Sequence, residues 1–457
     1  MTIRVLNVRV QPYRVGRAGI STWTTFRMAA ALLAAFGLPT AADGQTTYDY
    51  DILFKGGHVI DARNSISAIR DVAVKDGKVA AVATNIQASR ALKTVDASGL
   101  YVVPGLIDIH VHMYPGEKKN DYAGGDWSVY PDGFTLRSCV TTVTDAGSSG
   151  WRNFPDFKSR IIDQAKTRVT AFLNIVGAGM GSGRIEQNLA DMEVQPTLDM
   201  LLKHKGEIVG IKSAHFNGPE WTPYEKALEI GRAAKVPVIV DFGGNVRAKR
   251  TLDDLLTKYF RPGDIYTHMY GGRRGEQDPE TKGPSQAMIA GRKRGVLFDV
   301  GHGGSSFRWA TAVPLMKAGF VPDSISTDLH TSSMNAGMKD MLNVMGKFLA
   351  MGMSLDDVVA KSTWNPARQI QLQELGNLSV GSPADIAVLR LEKGKFGFLD
   401  PEGGRMDSSQ RLACEMTLRD GKVVYDLNGL TGVRWDALGA EPVLDPRWAN
   451  FGRRRTQ

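Results

Sequence analysis

Residues 104–112 read Pro104-Gly-Leu-Ile-Asp-Ile-His-Val-His112, an apolar run that closes on two histidines at alternate positions. In an extended strand, residues i and i+2 project to the same face, so both imidazoles can reach one metal ion. Taken alone, such a pair is more readily explained by two satisfied core histidines, so the case for chemistry rests on the surroundings. Asp108 falls on the same alternation and is placed to support or pack beside His110. Seven further apolar runs follow: Thr141–Asp145, Val169–Val176, Ile208–Ala214, Val236–Phe242, Asp264–Tyr270, Val296–His302 and Ser324–His330. They recur at roughly 28–39-residue spacing with helical segments between them, the rhythm of a parallel (β/α)8 TIM barrel in the α/β class. A doubly wound open sheet is the alternative, but no G-x-G-x-x-G fingerprint follows a strand.

Each run ends on a polar or glycine-rich position: His110 and His112, Asp145, Asn174, Lys212, Asp241, His268, Asp299 and His302, Asp328 and His330. Barrel chemistry sits at the C-terminal ends of the strands, so the joint placement says more than any single residue. Lys212 follows Ile208-Val-Gly-Ile211; facing a barrel interior it must be paired, neutralised or modified, and at a loop mouth it would simply be solvated. Asp328, in Ile325-Ser-Thr-Asp328-Leu-His330, is an acceptor that can bind a metal and take a proton from its bound water.

Outside this stretch the texture changes to short alternating runs: Asp51–Phe54, His58–Asp61, Asp71–Val74 and Val79–Val82 early, Asp385–Leu389 and Leu418–Tyr425 late. Two strand-rich ends around a long middle predict a small β-sandwich domain built from both chain ends. The expected organisation is a leader over 1–44, sandwich over 45–103, barrel over 104–375, sandwich over 376–430 and a C-terminal extension over 431–457. Within the leader, Arg27 precedes an apolar stretch at 28–38, then Pro39, Thr40, Ala41 and Ala42, the order of a secretory signal. The long basic stretch before it leaves Met1 and Met28 both open as starts. An exported protein, periplasmic or secreted, is expected. No run approaches the roughly 18 apolar residues of a membrane span.

The 457 residues carry a net charge of +8, but much of it is terminal. Five arginines against Asp43 give +4 in the first 44 residues, and Arg453, Arg454 and Arg455 cluster at the end. With no basic face interleaved with aromatics, nucleic acid is not an expected partner. Two cysteines, Cys139 and Cys414, cannot supply a disulfide framework or a four-thiolate zinc site, and are expected to sit reduced in a core.

The run Pro104–His112 resembles the first-strand signature of the amidohydrolase superfamily of metal-dependent hydrolases. Asn377-Leu-Ser-Val-Gly-Ser-Pro-Ala-Asp-Ile386 is similar to that superfamily's return into its sandwich, and Lys361-Ser-Thr-Trp-Asn-Pro-Ala367 to the preceding helix. Phe298-Asp-Val-Gly-His-Gly-Gly-Ser-Ser-Phe307 is most similar to the deacetylase-like branch. The resemblance implies one or two metal ions, commonly zinc, with His110 and His112 as ligands of the more buried one. Lys212 matches the lysine that members carbamylate with CO2, His268 the sixth-strand ligand of the second ion, and Asp328 the eighth-strand ligand and proton shuttle. The fifth strand departs from the pattern, because Val238-Ile-Val-Asp241 ends in aspartate where histidine is expected. An aspartate oxygen can still ligate a divalent ion, and it would admit manganese or iron there.

The implied reaction is hydrolysis of an amide or ester of a small acylated substrate by metal-bound hydroxide, deacetylase- or deacylase-like. His302, Tyr114 and Arg184 are candidate substrate contacts. Gly177-Ala-Gly-Met-Gly-Ser-Gly183 lacks the Gly-Lys-Ser/Thr ending of a phosphate-binding loop. Two rivals stay open: a cyclic-amide hydrolase or deaminase of the same superfamily, and a non-catalytic exported binding protein on this scaffold. A homo-oligomer is compatible with the sequence but not required by it.

Overall fold

The structure, a computed structural model, describes residues 48–116, 127–181, 184–243 and 250–437. The expected signal segment and basic leader lie outside the described residues, as does most of the C-terminal extension.

The first β region comprises β1 (Tyr50–Asp61), β2 (Ile66–Lys75), β3 (Lys78–Ala83), β4 (Ala91–Asp96) and β5 (Tyr101–Pro104). Strands β6 (Leu106–Val111), β7 (Val140–Gly150), β8 (Arg168–Asn174), β9 (Ile208–Ser213), β10 (Val238–Val240), β11 (Ile265–Tyr266) and β12 (Leu297–Phe298) follow. The chain then returns through β13 (Ile386–Leu399), β14 (Arg405–Arg419) and β15 (Lys422–Asp426). Both ends share one eight-stranded sheet in the order β15-β14-β13-β5-β1-β2-β3, with β4 beside β1. The join is the antiparallel pairing of β13 with β5, Ile386 opposite Pro104, immediately before β6. Its own apolar core includes Phe54, Val72, Val102, Ile386 and Met416.

Strands β6 to β12 pair parallel in chain order. The eighth run closes the curl: Leu329 pairs in parallel with Val111, and Ser324 with Asp299. His112 N donates to Leu329 O at 2.9 Å, and Val300 N to Ser324 O at 3.2 Å, so this run is bonded to both the first and the seventh. Ile107, Ile109, Phe172, Val209, Ile239 and Ile265, from five strands, form one buried cluster with Ala367 of the helix Trp364–Gln369 and Ile370, which caps its C-terminal end. An apolar floor therefore lies at the opposite end of the strands from the polar residues that finish them.

The late strands are shorter than the sequence pattern suggests. Strand β11 stops at Tyr266, and the eighth run forms only bridges, because His268 (φ 64°) and Asp328 (φ 52°) are left-handed. Such a backbone breaks the ladder and is strained for a non-glycine residue, a feature that concentrates at functional sites.

One expectation is overturned. Cys139 and Cys414 are not isolated reduced thiols but a disulfide across a separation of 275 residues, with Cα atoms 5.5 Å apart. The reason lies in the packing of β14 against the turn before β7, where Thr417 Oγ1 donates to Leu136 O at 2.7 Å. That contact brings the two positions together, and nothing local to either cysteine announces it.

Candidate metal centre

Six residues singled out from the sequence come together at the C-terminal ends of the parallel strands. His110 lies near the end of β6 and His112 just past it, and their Nε2 atoms lie 3.7 and 3.1 Å from the same Asp328 Oδ1. The Lys212 amine, on β9, is 3.3 Å from His110 Nε2. Asp241, just past β10, places Oδ2 3.2 Å from Nε2 of His268, which follows β11. His110, His268 and Asp328 offer ligand atoms all within 4.8 Å of one another.

Buried supports hold these side chains. Asp108 accepts from His110 N at 3.2 Å and from Thr327 N at 3.1 Å, locking the first run to the eighth. Asp145 accepts from Met113 N and Ser148 N, each at 2.7 Å, and Ser148 Oγ meets His112 Nδ1 at 2.9 Å. Asn174 donates to Gly147 O at 2.9 Å. Gly147 must be glycine: at φ +88°, a Cβ there would lie 2.6 Å from Lys212 Cγ. Gly301 has a similar duty, since its Cβ would fall 2.7 Å from His268 Nδ1.

Proton placement tests whether these residues fit a cation. Thr267 Oγ1 donates to the Asp299 carboxylate at 2.8 Å, so at 2.9 Å it can only accept from His110 Nδ1. His268 Nδ1 faces the Gly301 carbonyl at 2.6 Å and must also be the donor. Each ring therefore turns Nε2 to a carboxylate oxygen, 3.7 Å from Asp328 Oδ1 for His110 and 3.2 Å from Asp241 Oδ2 for His268, with Lys212 Nζ also 3.3 Å from His110 Nε2. Imidazole nitrogens and carboxylate oxygens converging in a buried site need positive charge between them, and a divalent ion fits there in place of the ring protons. His330 is different: Ser333 N donates to its Nδ1 at 3.3 Å, so its Nε2 carries the proton, 4.0 Å from Asp328 Oδ2.

The electrostatics follow from the same contacts. Burial favours neutral Asp328, yet His110, His112 and His330 hold its carboxyl well below the usual range. Burial likewise opposes the Asp241 anion, but His268, Arg274 and His215 hold it well below the usual range too. Burial pushes the Lys212 amine down, against the pull of Asp241, Asp328, Asp299 and Glu186.

The candidate substrate contacts fare otherwise. His302 is fully buried, stacks on Phe307 and accepts from Lys347 Nζ at 2.6 Å, so it braces the loop rather than facing the cluster. Tyr114 is also fully buried, with its hydroxyl on Asp156 at 2.9 Å. Arg184 is exposed, in a turn beside buried Glu186. The flanking glycines and the distant Lys347 draw His302 away, which its position at a strand end does not reveal.

Three residues at the site went unread in the sequence. His215, three residues beyond Lys212, sets Nε2 2.9 Å from Asp241 Oδ2 and Nδ1 3.2 Å from Glu186 Oε1. Burial disfavours its cation, but Asp241 and Glu186 overcome this and push the imidazole up to about 10. Arg274 donates to Asp241 Oδ1 at 2.8 Å. A histidine so close to Lys212 was the available signal, but only its left-handed backbone (φ 53°) turns it inward.

Comparison with known proteins agrees with this geometry. Residues 308–424 match the amidohydrolase family. A deacetylase of Brucella anthropi is 31% identical over 395 residues, covering 85% of this chain and 91% of that protein. A deacetylase of Agrobacterium fabrum is 33% identical over 335 residues, covering 72% of this chain and 80% of that protein. A crystal structure described as an adenine deaminase superposes with a TM-score of 0.75 at 28% identity, covering 83% of this chain and all of that one. One described as a dihydroorotase gives 0.72 at 28% identity, over 82% of this chain and 99% of that one. With an alternating histidine pair, a buried strand-end lysine and an eighth-run aspartate meeting in one barrel mouth, the chain belongs to the amidohydrolase superfamily of metal-dependent hydrolases.

Proposed function

We propose that this enzyme hydrolyses the amide bond, or an ester bond, of a small acylated substrate, as a deacetylase or deacylase. The observation that carries the reading is the meeting of His110, His112 and Asp328 at one carboxylate oxygen, with a protonated His330 nitrogen beside it. His110, His112, Lys212, Asp241, His268 and Asp328 would hold the metal, zinc in one or two copies, with manganese or iron admitted beside Asp241. When bound, a divalent ion brings the pKa of water to around 7 and polarises the scissile carbonyl. Asp328 takes the proton from the attacking water and passes it to the leaving nitrogen or oxygen as the bond between that atom and the acyl carbon breaks. His330 Nε2–H is placed to donate to the developing oxyanion.

Lys212 is read as carbamylated: its neutral amine attacks CO2, a nitrogen–carbon bond forms, and the proton lost leaves a carbamate anion. Support comes from its burial, 1% exposed, with the amine 3.3 Å from His110 Nε2. The anion would replace a costly buried cation.

A second reading within the superfamily is ring opening or deamination. It is favoured by the adenine deaminase and dihydroorotase structures above, and by a Citrifermentans bemidjiense dihydroorotase, 37% identical over 145 residues. A panel of N-acyl amino acids, O-acyl hydroxy acids, cyclic amides and aminopurines separates them. Carboxylate release from the acyl substrates supports deacylation; ammonia release or ring opening alone supports the second reading.

Export is part of this proposal. It rests on the order of Arg27, the apolar stretch at 28–38 and the small residues after it, together with a disulfide suited to an oxidising compartment. Among the described residues, no helix is long and apolar enough to cross a membrane.

A further inference from the structure

We propose that His215 is a ligand of the second metal ion, supplying with Asp241 the coordination that the fifth strand's absent histidine would have given. The inference rests on the metallohydrolase reading above and extends it to a residue outside the superfamily pattern.

His215 shares the arrangement of the other histidines that converge here. His110 gives Nδ1 to Thr267 Oγ1, His112 meets Ser148 Oγ, and His268 gives Nδ1 to the Gly301 carbonyl; each turns Nε2 inward. His215 sets Nδ1 against the Glu186 carboxylate, 3% exposed, and Nε2 against Asp241 Oδ2. A carboxylate on one ring nitrogen and an anionic acceptor facing the other is the arrangement that orients metal-binding imidazoles and raises their basicity.

The same Asp241 oxygen also faces His268 Nε2, so two imidazole nitrogens converge on one carboxylate oxygen from different strands. Arg274 occupies the opposite oxygen, Oδ1, together with Gly243 N at 3.0 Å, and thereby holds Oδ2 toward the histidines. Lys212, three residues before His215, places its amine on the side of the first ion's ligands. The end of β9 and the residues just past it thus reach both halves of the centre: Lys212 beside the first ion's ligands and His215 beside the second's. The left-handed His215 backbone, strained for a non-glycine residue, is retained where it delivers the ring to Asp241.

The experiment is metal content and affinity in the full chain and in His215→Ala and Glu186→Gln, read by elemental analysis, by chelator competition with zinc, and by visible absorption of the cobalt(II)-loaded protein. The wild type should hold two ions. His215→Ala should keep one tight ion, which also reports that it is folded, and bind the second about 100-fold or more weakly, with loss of half the cobalt absorption. Glu186→Gln, which spares the ligand atom, should weaken only the second site, by about 10–100-fold. Two ions of unchanged affinity in both variants would overturn the assignment, as would a wild type holding one ion. A wild type that binds no metal would instead overturn the metallohydrolase reading and the assignment with it.

Discussion

His112 Nε2 lies 3.1 Å from Asp328 Oδ1 across the seam where the first and eighth runs close the barrel. The contact depends on the left-handed turn at Asp328 and on the Leu329–Val111 pairing that follows it. A site assembled at a closure seam ties ligand geometry to completion of the fold.

Asp328→Asn keeps the size of the side chain but removes its charge and its capacity to take a proton. Turnover should fall by about 10²–10⁴-fold. Far-UV circular dichroism should stay that of the wild type. Near-normal turnover would remove Asp328 from its assigned role.

Lys212→Ala should abolish turnover, and millimolar short-chain carboxylic acids should restore part of it by occupying the vacated space as an anion. Rescue is read as the initial rate against acetate or propionate concentration. Absent rescue, with metal still bound, counts against the carbamate.

Lys347→Met probes the loop rather than the chemistry. Lys347 Nζ donates to His302 Nε2, Gly337 O and Leu399 O at 2.6–2.7 Å, and all three acceptors lose their partner in the variant. The expected cost is about 2–4 kcal/mol in a denaturant titration, with metal content unchanged. A variant of normal stability that loses metal would show that His302 serves the metal centre after all.

Cys414→Ser removes the link between β14 and the start of β7. Unfolding free energy should drop by about 2–4 kcal/mol. Reductant should lower the wild type similarly while leaving the variant unaffected. Equal stability of the oxidised, reduced and substituted forms would contradict the pairing.

The eight-run order was legible because apolar runs, each ending on a polar group, repeat along the chain, and it is that order which brings His110, Lys212, Asp241, His268 and Asp328 to one end. The early stop of β11 and the bridge-only eighth run were not legible. They depend on backbone left-handedness at His268 and Asp328, residues whose types do not signal it. The cysteine pairing was hidden because it depends on β14 reaching the turn before β7, a contact between segments 281 residues apart. His215 and Glu186 were missed because the first follows a strand already credited with Lys212 and the second sits in a turn without apolar periodicity. Strand-end position does not say which way a ring faces, and His302 and Tyr114 sit against Lys347 and Asp156, partners that no local pattern announces.

The most direct test of a metal-dependent hydrolase is metal per chain in freshly purified, chelator-free protein, measured beside its turnover. Close to two ions is predicted, with turnover lost on chelation and regained on adding zinc. No bound metal, even after reloading with zinc or manganese, would contradict the account and turn the reading to an exported binding protein on this scaffold.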